Sequence, residues 1–126
     1  GAVDSRYQAD RIKTIADRLG LDLFTPLWHM DPETLLHEVA RRLDAMIVVT
    51  AAEGLDAGFL GARFDEDLIR RLKRVAATRR IHIAGEGGEY ESLTLNAPFY
   101  SRPITYSTRE VRSAPDRHEL ILGGFA

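Results

Sequence analysis

Three carboxylates, Glu86, Glu89 and Glu91, fall within one short stretch that also carries Gly85, Gly87 and Gly88. Like charges so crowded repel one another unless a cationic group answers them. Glycines, in turn, admit backbone conformations and close approaches that other residues forbid. Tyr90 and Ser92 complete the octet Gly-Glu-Gly-Gly-Glu-Tyr-Glu-Ser. On residue types alone this is either a solvated acidic turn or a loop opened to receive a cation, and both readings stay open. Either way the carboxylates are expected at a surface and not in the core. None of the four histidines has a partner at metal-ligand spacing, so no metal site built from protein ligands is expected.

The elements that must position this loop follow from periodicity. Ile81 and Ile83 alternate with His82 before it, and Leu93 and Leu95 repeat the period-two pattern after it, which predicts strand, glycine loop, strand. Upstream, Ser5 or Asp4 caps a first helix whose Ile12, Ile15, Ala16 and Leu19 form a core-facing stripe, closed by Gly20. Leu21 to Trp28 reads as a strand with an exit loop, since Pro26 cannot donate to a ladder. Asp31-Pro32-Glu33 opens a second helix with the stripe Leu35, Leu36, Val39, Ala40 and Leu43.

Ala45 to Ala52 is a continuous apolar run rich in β-branched residues, the pattern of a strand covered on both faces. A glycine-punctuated loop, Glu53 to Arg63, precedes a third helix capped by Asp65 with the stripe Leu68, Ile69, Leu72, Val75 and Ala76. Its far face carries Arg70, Arg71, Lys73, Arg74, Arg79 and Arg80, either solvated or offered to a protein substrate. Strands that alternate with helices imply a partial doubly wound parallel sheet with helices on both faces, the glycine loop lying at the carboxyl end of a strand where such sheets bind ligands. After position 100 the character changes: Ile104–Val111 and His118–Leu122 flank a turn and read as an antiparallel β-hairpin added to the α/β part.

With 126 residues the chain fits one domain, 1–126, divided into an α/β part, 1–100, and a hairpin, 101–126. A hydrophobic fraction of 44% and a charged fraction of 29% are those of a globular domain, and a net charge of -2 gives no reason to expect nucleic acid or an anionic membrane as partner. The absence of cysteine excludes disulfides and thiolate chemistry and makes a cytoplasmic protein the simplest reading. The N-terminus lacks the basic start and apolar stretch of a signal peptide.

The octet, followed by Leu95-Asn96-Ala97-Pro98-Phe99, resembles the signature of the diphthine-ammonia ligases, members of the N-type ATP pyrophosphatase group within the PP-loop, adenine nucleotide alpha hydrolase-like superfamily. Tyr7-Gln8, Arg11-Ile12, Leu19-Gly20-Leu21, Pro26-Leu27-Trp28, Leu35-Leu36, Gly54-Leu55 and Phe59-Leu60-Gly61 are similar to that family in order and spacing, so that nearly the whole chain is covered. Ser92 stands where threonine is usual and Asn96 where aspartate is usual, and the family's ATP-binding Ser-Gly-Gly-Lys-Asp-Ser loop is absent. The resemblance therefore implies the C-terminal half of such an enzyme, inactive without an N-terminal half that holds ATP and Mg2+.

The implied reaction is ATP-dependent amidation of diphthine on elongation factor 2. The carboxylate is adenylylated with release of pyrophosphate, and ammonia then displaces AMP. It makes Glu86, Glu89 and Glu91 the candidate catalytic residues, with Tyr7, Arg11, Trp28, Gly85, Gly87, Gly88, Tyr90 and Ser92 binding substrate. The loop suits a cation, whether magnesium, ammonium or the trimethylammonium of diphthine, and Tyr7, Trp28 and Tyr90 offer aromatic faces to it. A homo-oligomer, or association with the other half, is expected because a sheet cut open leaves an apolar face uncovered. Two other readings stay beside this one: a relative that amidates a different carboxylate, and a non-catalytic fragment.

Overall fold

In the computed structural model, which describes residues 3–126, the helices begin and end on the capping chemistry that the sequence carries. Helix α1 spans Arg6–Leu19, with the Ser5 hydroxyl accepting from the Gln8 N–H and Gly20 as its C-cap. Helix α2 spans Pro32–Arg42, where the Asp31 carboxylate accepts from the Thr34 N–H. Strand β1, Asp44–Thr50, follows at once. Helix α3 spans Glu66–Ala76, and Asp65 caps it through the Leu68 N–H. Strands β2 (Tyr90–Asn96), β3 (Thr108–Ala114) and β4 (Arg117–Gly123) complete the element order.

The protein is mixed α/β, but its sheet is antiparallel throughout, in the order β2-β1-β4-β3. This corrects the expected doubly wound parallel sheet. The inference that β1 is covered on both faces holds, because Ala45, Ile47 and Met46 are all nearly inaccessible. What does not follow is parallel pairing: β1 takes β2 and β4 as its neighbours, and a buried central strand reads the same in either direction.

Helices α2 and α3 lie on one face only. Leu36 from α2 and Leu68, Ile69 and Leu72 from α3 pack with Ala45, Ile47, Leu55, Phe59, Phe64 and Tyr90. No helix among the described residues covers the opposite face. There Met46, Leu95 and Leu120 are closed over by Leu60, Ile104 and Tyr106. Ile104 through Ser107, expected to belong to the hairpin, serve instead as this cover, pinned where the Ile104 N–H donates to the Leu95 carbonyl at 2.7 Å. The hairpin turn, Pro115-Asp116, is as expected, yet β4 pairs directly with β1, so the hairpin is part of the central sheet and not an addition to it.

Two expected strands do not form. Leu21–Phe24 pairs with no strand among the described residues and lies beside α1 instead, and a strand without a hydrogen-bonded partner is not stable. Ile81–Ile83 forms no ladder either; the His82 N–H goes to the Glu89 carboxylate at 2.7 Å and the chain turns immediately, the Gly85 N–H reaching the His82 carbonyl. The glycine loop thus leads into an antiparallel strand, β2. The apolar stripe of α1 is also not core: Ile12, Ile15 and Leu19 are each at least half exposed, and only Ala16 is buried. No helix among the described residues is long and apolar enough to cross a membrane.

The α2 cap carries a pH signature. Asp31 accepts from both the backbone N–H and the hydroxyl of Thr34, at 2.8 and 2.9 Å, and the backbone bond above all holds its carboxyl below the ordinary value of 3.8. A folded-state pKa below the unfolded one means stabilisation that is present above the unfolded value and is lost as pH falls through the folded one. The urea midpoint of the parent is therefore expected to drop on acidification below 3.8 more steeply than that of Asp31→Asn. Identical acid slopes for the two proteins would show that the cap is not formed in solution.

Candidate functional site

The octet folds into a turn shaped by one of its own carboxylates. Glu89 is 9% exposed, and its two oxygens accept the N–H groups of His82 at 2.7 Å and of Gly87 at 2.8 Å. Its backbone carbonyl takes the Ala51 N–H at the end of β1 at 2.8 Å. Glu89 is thus a bracket inside the loop, which corrects the expectation that all three carboxylates lie at the surface. A bracket of this kind explains the glycines. A Cβ at Gly87 would stand 2.7 Å from the Glu89 carboxylate. Gly85 (φ 75°) adopts the left-handed region, and its missing Cβ leaves room for the Tyr90 ring at 3.1 Å.

Tyr90 is buried, its hydroxyl donating to the Ile83 carbonyl at 2.8 Å and its ring 6.0 Å from that of Phe64. Burial, reinforced by Glu89, pushes its phenol well up from the ordinary range. Its ring faces the core and is not presented to a ligand. Glu86 points the other way and accepts the N–H groups of Val3 at 3.0 Å and Asp4 at 3.3 Å. Glu91 is exposed and shares Arg117 with Glu119 at the sheet surface. Ser92 is exposed on β2, opposite Ile47 of β1. The Asn96 side chain accepts the next backbone N–H, that of Ala97, at 3.0 Å.

Tyr7, Arg11 and Trp28 do come together. With Ile12, Ile15 and Phe24 they line a groove of about 790 Å³ between α1 and the extended segment that follows it. Arg11 donates to the Tyr7 hydroxyl at 2.6 Å and its guanidinium lies 5.3 Å over that ring. Trp28 stacks on His29 with ring centroids 4.4 Å apart. The glycine loop does not line this groove; it reaches the groove's neighbourhood only through Glu86 and the first residues of the described chain.

The loop carboxylates are already engaged by backbone N–H groups or a guanidinium, so they do not fit a divalent cation as a shared donor set. Among the described residues no three His, Asp or Glu side chains converge as metal ligands. The expected basic face of α3 is largely spoken for: Arg71 lies 4.2 Å over the Phe59 ring and Lys73 bridges to Glu33 at 2.7 Å, while Arg79 and Arg80 fall beyond the end of the helix, Arg79 bridging to Glu53 at 2.9 Å.

Two residues at the junction were not legible as site residues. Asp4 and His82 meet at 2.9 Å between carboxylate and Nε2. They lie far apart in sequence, and neither shows a motif that would announce the contact.

The family model described as diphthamide synthase C-terminal domain matches residues 31–117, leaving α1 and the groove outside the match. The chain is similar to the diphthine--ammonia ligase of Homo sapiens, 36% identical over 113 residues that make up 88% of this chain and 42% of the relative. The ligase of the same name from Schizosaccharomyces pombe is 37% identical over 112 residues, covering 88% of this chain and 18% of that protein. In Saccharomyces cerevisiae the corresponding figures are 31% over 118 residues, with 79% and 17% covered. The chain thus spans less than half the length of these curated relatives. The turn bracketed by Glu89 and the β1–β2 pair that carries it both lie inside the matched segment, and on that match the chain belongs to the diphthamide synthase C-terminal domain family.

Proposed function

We propose that this chain is the substrate-side, C-terminal half of a ligase that uses ATP to amidate diphthine on elongation factor 2 with ammonia, the last step of diphthamide formation. The observation that carries this reading is membership of the family together with a loop held in a defined shape by its own buried carboxylate and tied by Glu86 to the segment that bears the groove. In this reading ATP and Mg2+ belong to an N-terminal half that carries the Ser-Gly-Gly-Lys-Asp-Ser loop, and this chain contributes to positioning and charge, working in the cytoplasm. Glu89 acts by fixing the turn, while Glu86, held by backbone N–H groups that do not neutralise it, leaves a negative field that favours ammonium or the trimethylammonium of diphthine, and Glu91 stands at its edge paired with Arg117.

Gly88, with open space about its Cα, and the exposed Ser92 face the substrate, while Gly85 and Gly87 serve it indirectly by making room for the Tyr90 ring and the Glu89 carboxylate that shape the turn. Tyr7, Arg11 and Trp28 form the groove, where the Tyr7 and Trp28 rings offer faces to a quaternary ammonium at roughly 0.5 to 2 kcal/mol each. The groove is also an apolar surface, because Tyr7, Ile12, Ile15, Leu23 and Phe24, which line it, are all exposed. That surface is the seat for the N-terminal half, or for a second copy when that half is missing.

The test is single-turnover amidation by a full-length protein carrying this sequence, followed by AMP release and product mass. Diphthine-bearing factor is expected to react far faster than a form with the unmethylated amine, which is more strongly hydrated and costs more to bring against aromatic rings. Trp28→Leu should narrow that preference. Equal rates for both substrates in the parent would remove the cation-recognition reading, and no amide from either would remove the ligase reading.

A further inference from the structure

Val3 and Asp4 sit between two parts of the molecule that the sequence keeps far apart. On one side, Glu86 of the glycine loop accepts both of their N–H groups, at 3.0 and 3.3 Å, and the Asp4 carboxylate meets His82 Nε2 at 2.9 Å. The Ala84 N–H points at His82 Nδ1 at 3.3 Å, which makes Nδ1 the acceptor and leaves the proton of the neutral ring on Nε2, facing Asp4. On the other side, the Val3 carbonyl takes the His29 N–H at 2.8 Å, and the His29 ring stacks on Trp28 in the wall of the groove.

His29 needs such a hold. Its φ of 58° places a non-glycine residue in the left-handed region, a conformation that persists only where its surroundings impose it. Val3 supplies part of that imposition, since its side chain is 2% exposed and its carbonyl fixes the His29 amide. An unbroken series of contacts therefore runs from the loop through Val3-Asp4 and His29 to Trp28.

We propose that Asp4, His82 and Glu86 form a latch that positions Trp28, so that the wall of the groove keeps its shape only while the glycine loop holds the first residues of the chain. These are positioning residues: none lines the groove, and each acts on a groove ligand through His29 and Trp28. The inference rests on the reading of groove and loop as parts of one substrate site, and it adds two residues, Asp4 and His82, that the family signature does not mark. The groove's ligand is taken as a quaternary ammonium, for which tetramethylammonium is the probe.

Trp28 is the only tryptophan, so its fluorescence reports the latch directly. Acrylamide quenching and the emission maximum are measured on the 126-residue chain for the parent, Asp4→Ala, His82→Ala, Glu86→Ala, the double variant Asp4→Ala/His82→Ala, and Asp4→Asn. Each alanine variant is expected to raise the quenching constant roughly twofold through local opening. The double variant should behave like either single one. Asp4→Asn should stay near the parent, because its amide oxygen still accepts the Nε2 proton.

General unfolding would instead appear as a fall in melting temperature that the asparagine does not rescue. Asp4 is exposed, so Asp4→Ala keeps the experiment informative even where Glu86→Ala disturbs the loop. Unchanged quenching in Asp4→Ala and His82→Ala, or strictly additive effects in the double variant, overturns the latch. Tetramethylammonium is titrated against the same fluorescence: weaker binding in the alanine variants supports the coupling. A parent that does not respond to it overturns the cation reading of the groove, and the latch is then decided by acrylamide alone.

Discussion

Glu89→Ala is expected to destabilise the chain by about 2 to 3 kcal/mol and, in a full-length ligase, to cut amidation by roughly a hundredfold or more. The stability loss follows from what the carboxylate does. It is 9% exposed and accepts the N–H groups of His82 and Gly87, so its removal leaves two partly buried donors without their acceptors and the turn without its brace. Catalytic loss has a second origin, because the positions of Glu86 and Gly85 both depend on the turn that Glu89 braces.

Glu89→Gln separates the two effects. Its amide oxygen can replace one acceptor, but its NH2 group must then face the other N–H, so a smaller loss of stability is expected with most of the loss of activity. Urea denaturation of the chain and single-turnover amidation by the full-length protein are the two measurements. An alanine variant that unfolds at the parent's urea concentration would show that both N–H groups find other partners, and the bracket would lose its role in the fold.

How much of this was legible in the sequence depended on the range of the interaction. The caps at Ser5, Asp31 and Asp65 involve side chains and amides within a single turn, so residue identity and spacing were enough to place all three helices. The Pro115-Asp116 turn was local in the same sense. The β1 run announced burial on both faces correctly, but burial carries no sign of direction, and pairing with β2 and β4 is settled by segments dozens of residues away. Alternation of strand-like and helix-like patterns then suggested parallel units that the chain does not build.

At the site, the glycines and carboxylates stood out as types, whereas their division of labour did not. Nothing in Gly-Glu-Gly-Gly-Glu-Tyr-Glu-Ser distinguishes the carboxylate that turns inward, Glu89, from the one that clamps the first residues, Glu86, or from Glu91 beside Arg117. The resemblance makes Tyr90 an aromatic face for the substrate cation, but it opens β2 on the core side, where Gly85 makes space for its ring.

Leu72→Ala and Ile15→Ala should part company in the isolated chain, although both are apolar residues on amphipathic helices. Leu72 is fully inaccessible between α3 and the sheet, and its truncation should cost about 2 to 5 kcal/mol, by lost transfer energy and by the cavity left behind. Ile15 is 51% exposed, and the same change there should stay within about 0.5 kcal/mol. The proposal that α1 seats an N-terminal half makes the second value depend on what is present. In a full-length protein Ile15 and Ile12 would be covered, and Ile15→Ala should then approach the cost of a core truncation, about 2 kcal/mol or more. Without that half the same face should pair with itself, so light scattering should report a mass above 14.1 kDa at high concentration, and Ile15→Asp should return it to that value. The measurements are urea midpoints for both variants in both lengths of protein. If Ile15→Ala costs as little in the full-length protein as in the isolated chain, the α1 face is not where the halves meet, while the core assignment of Leu72 and the family membership of residues 31–117 stand unchanged.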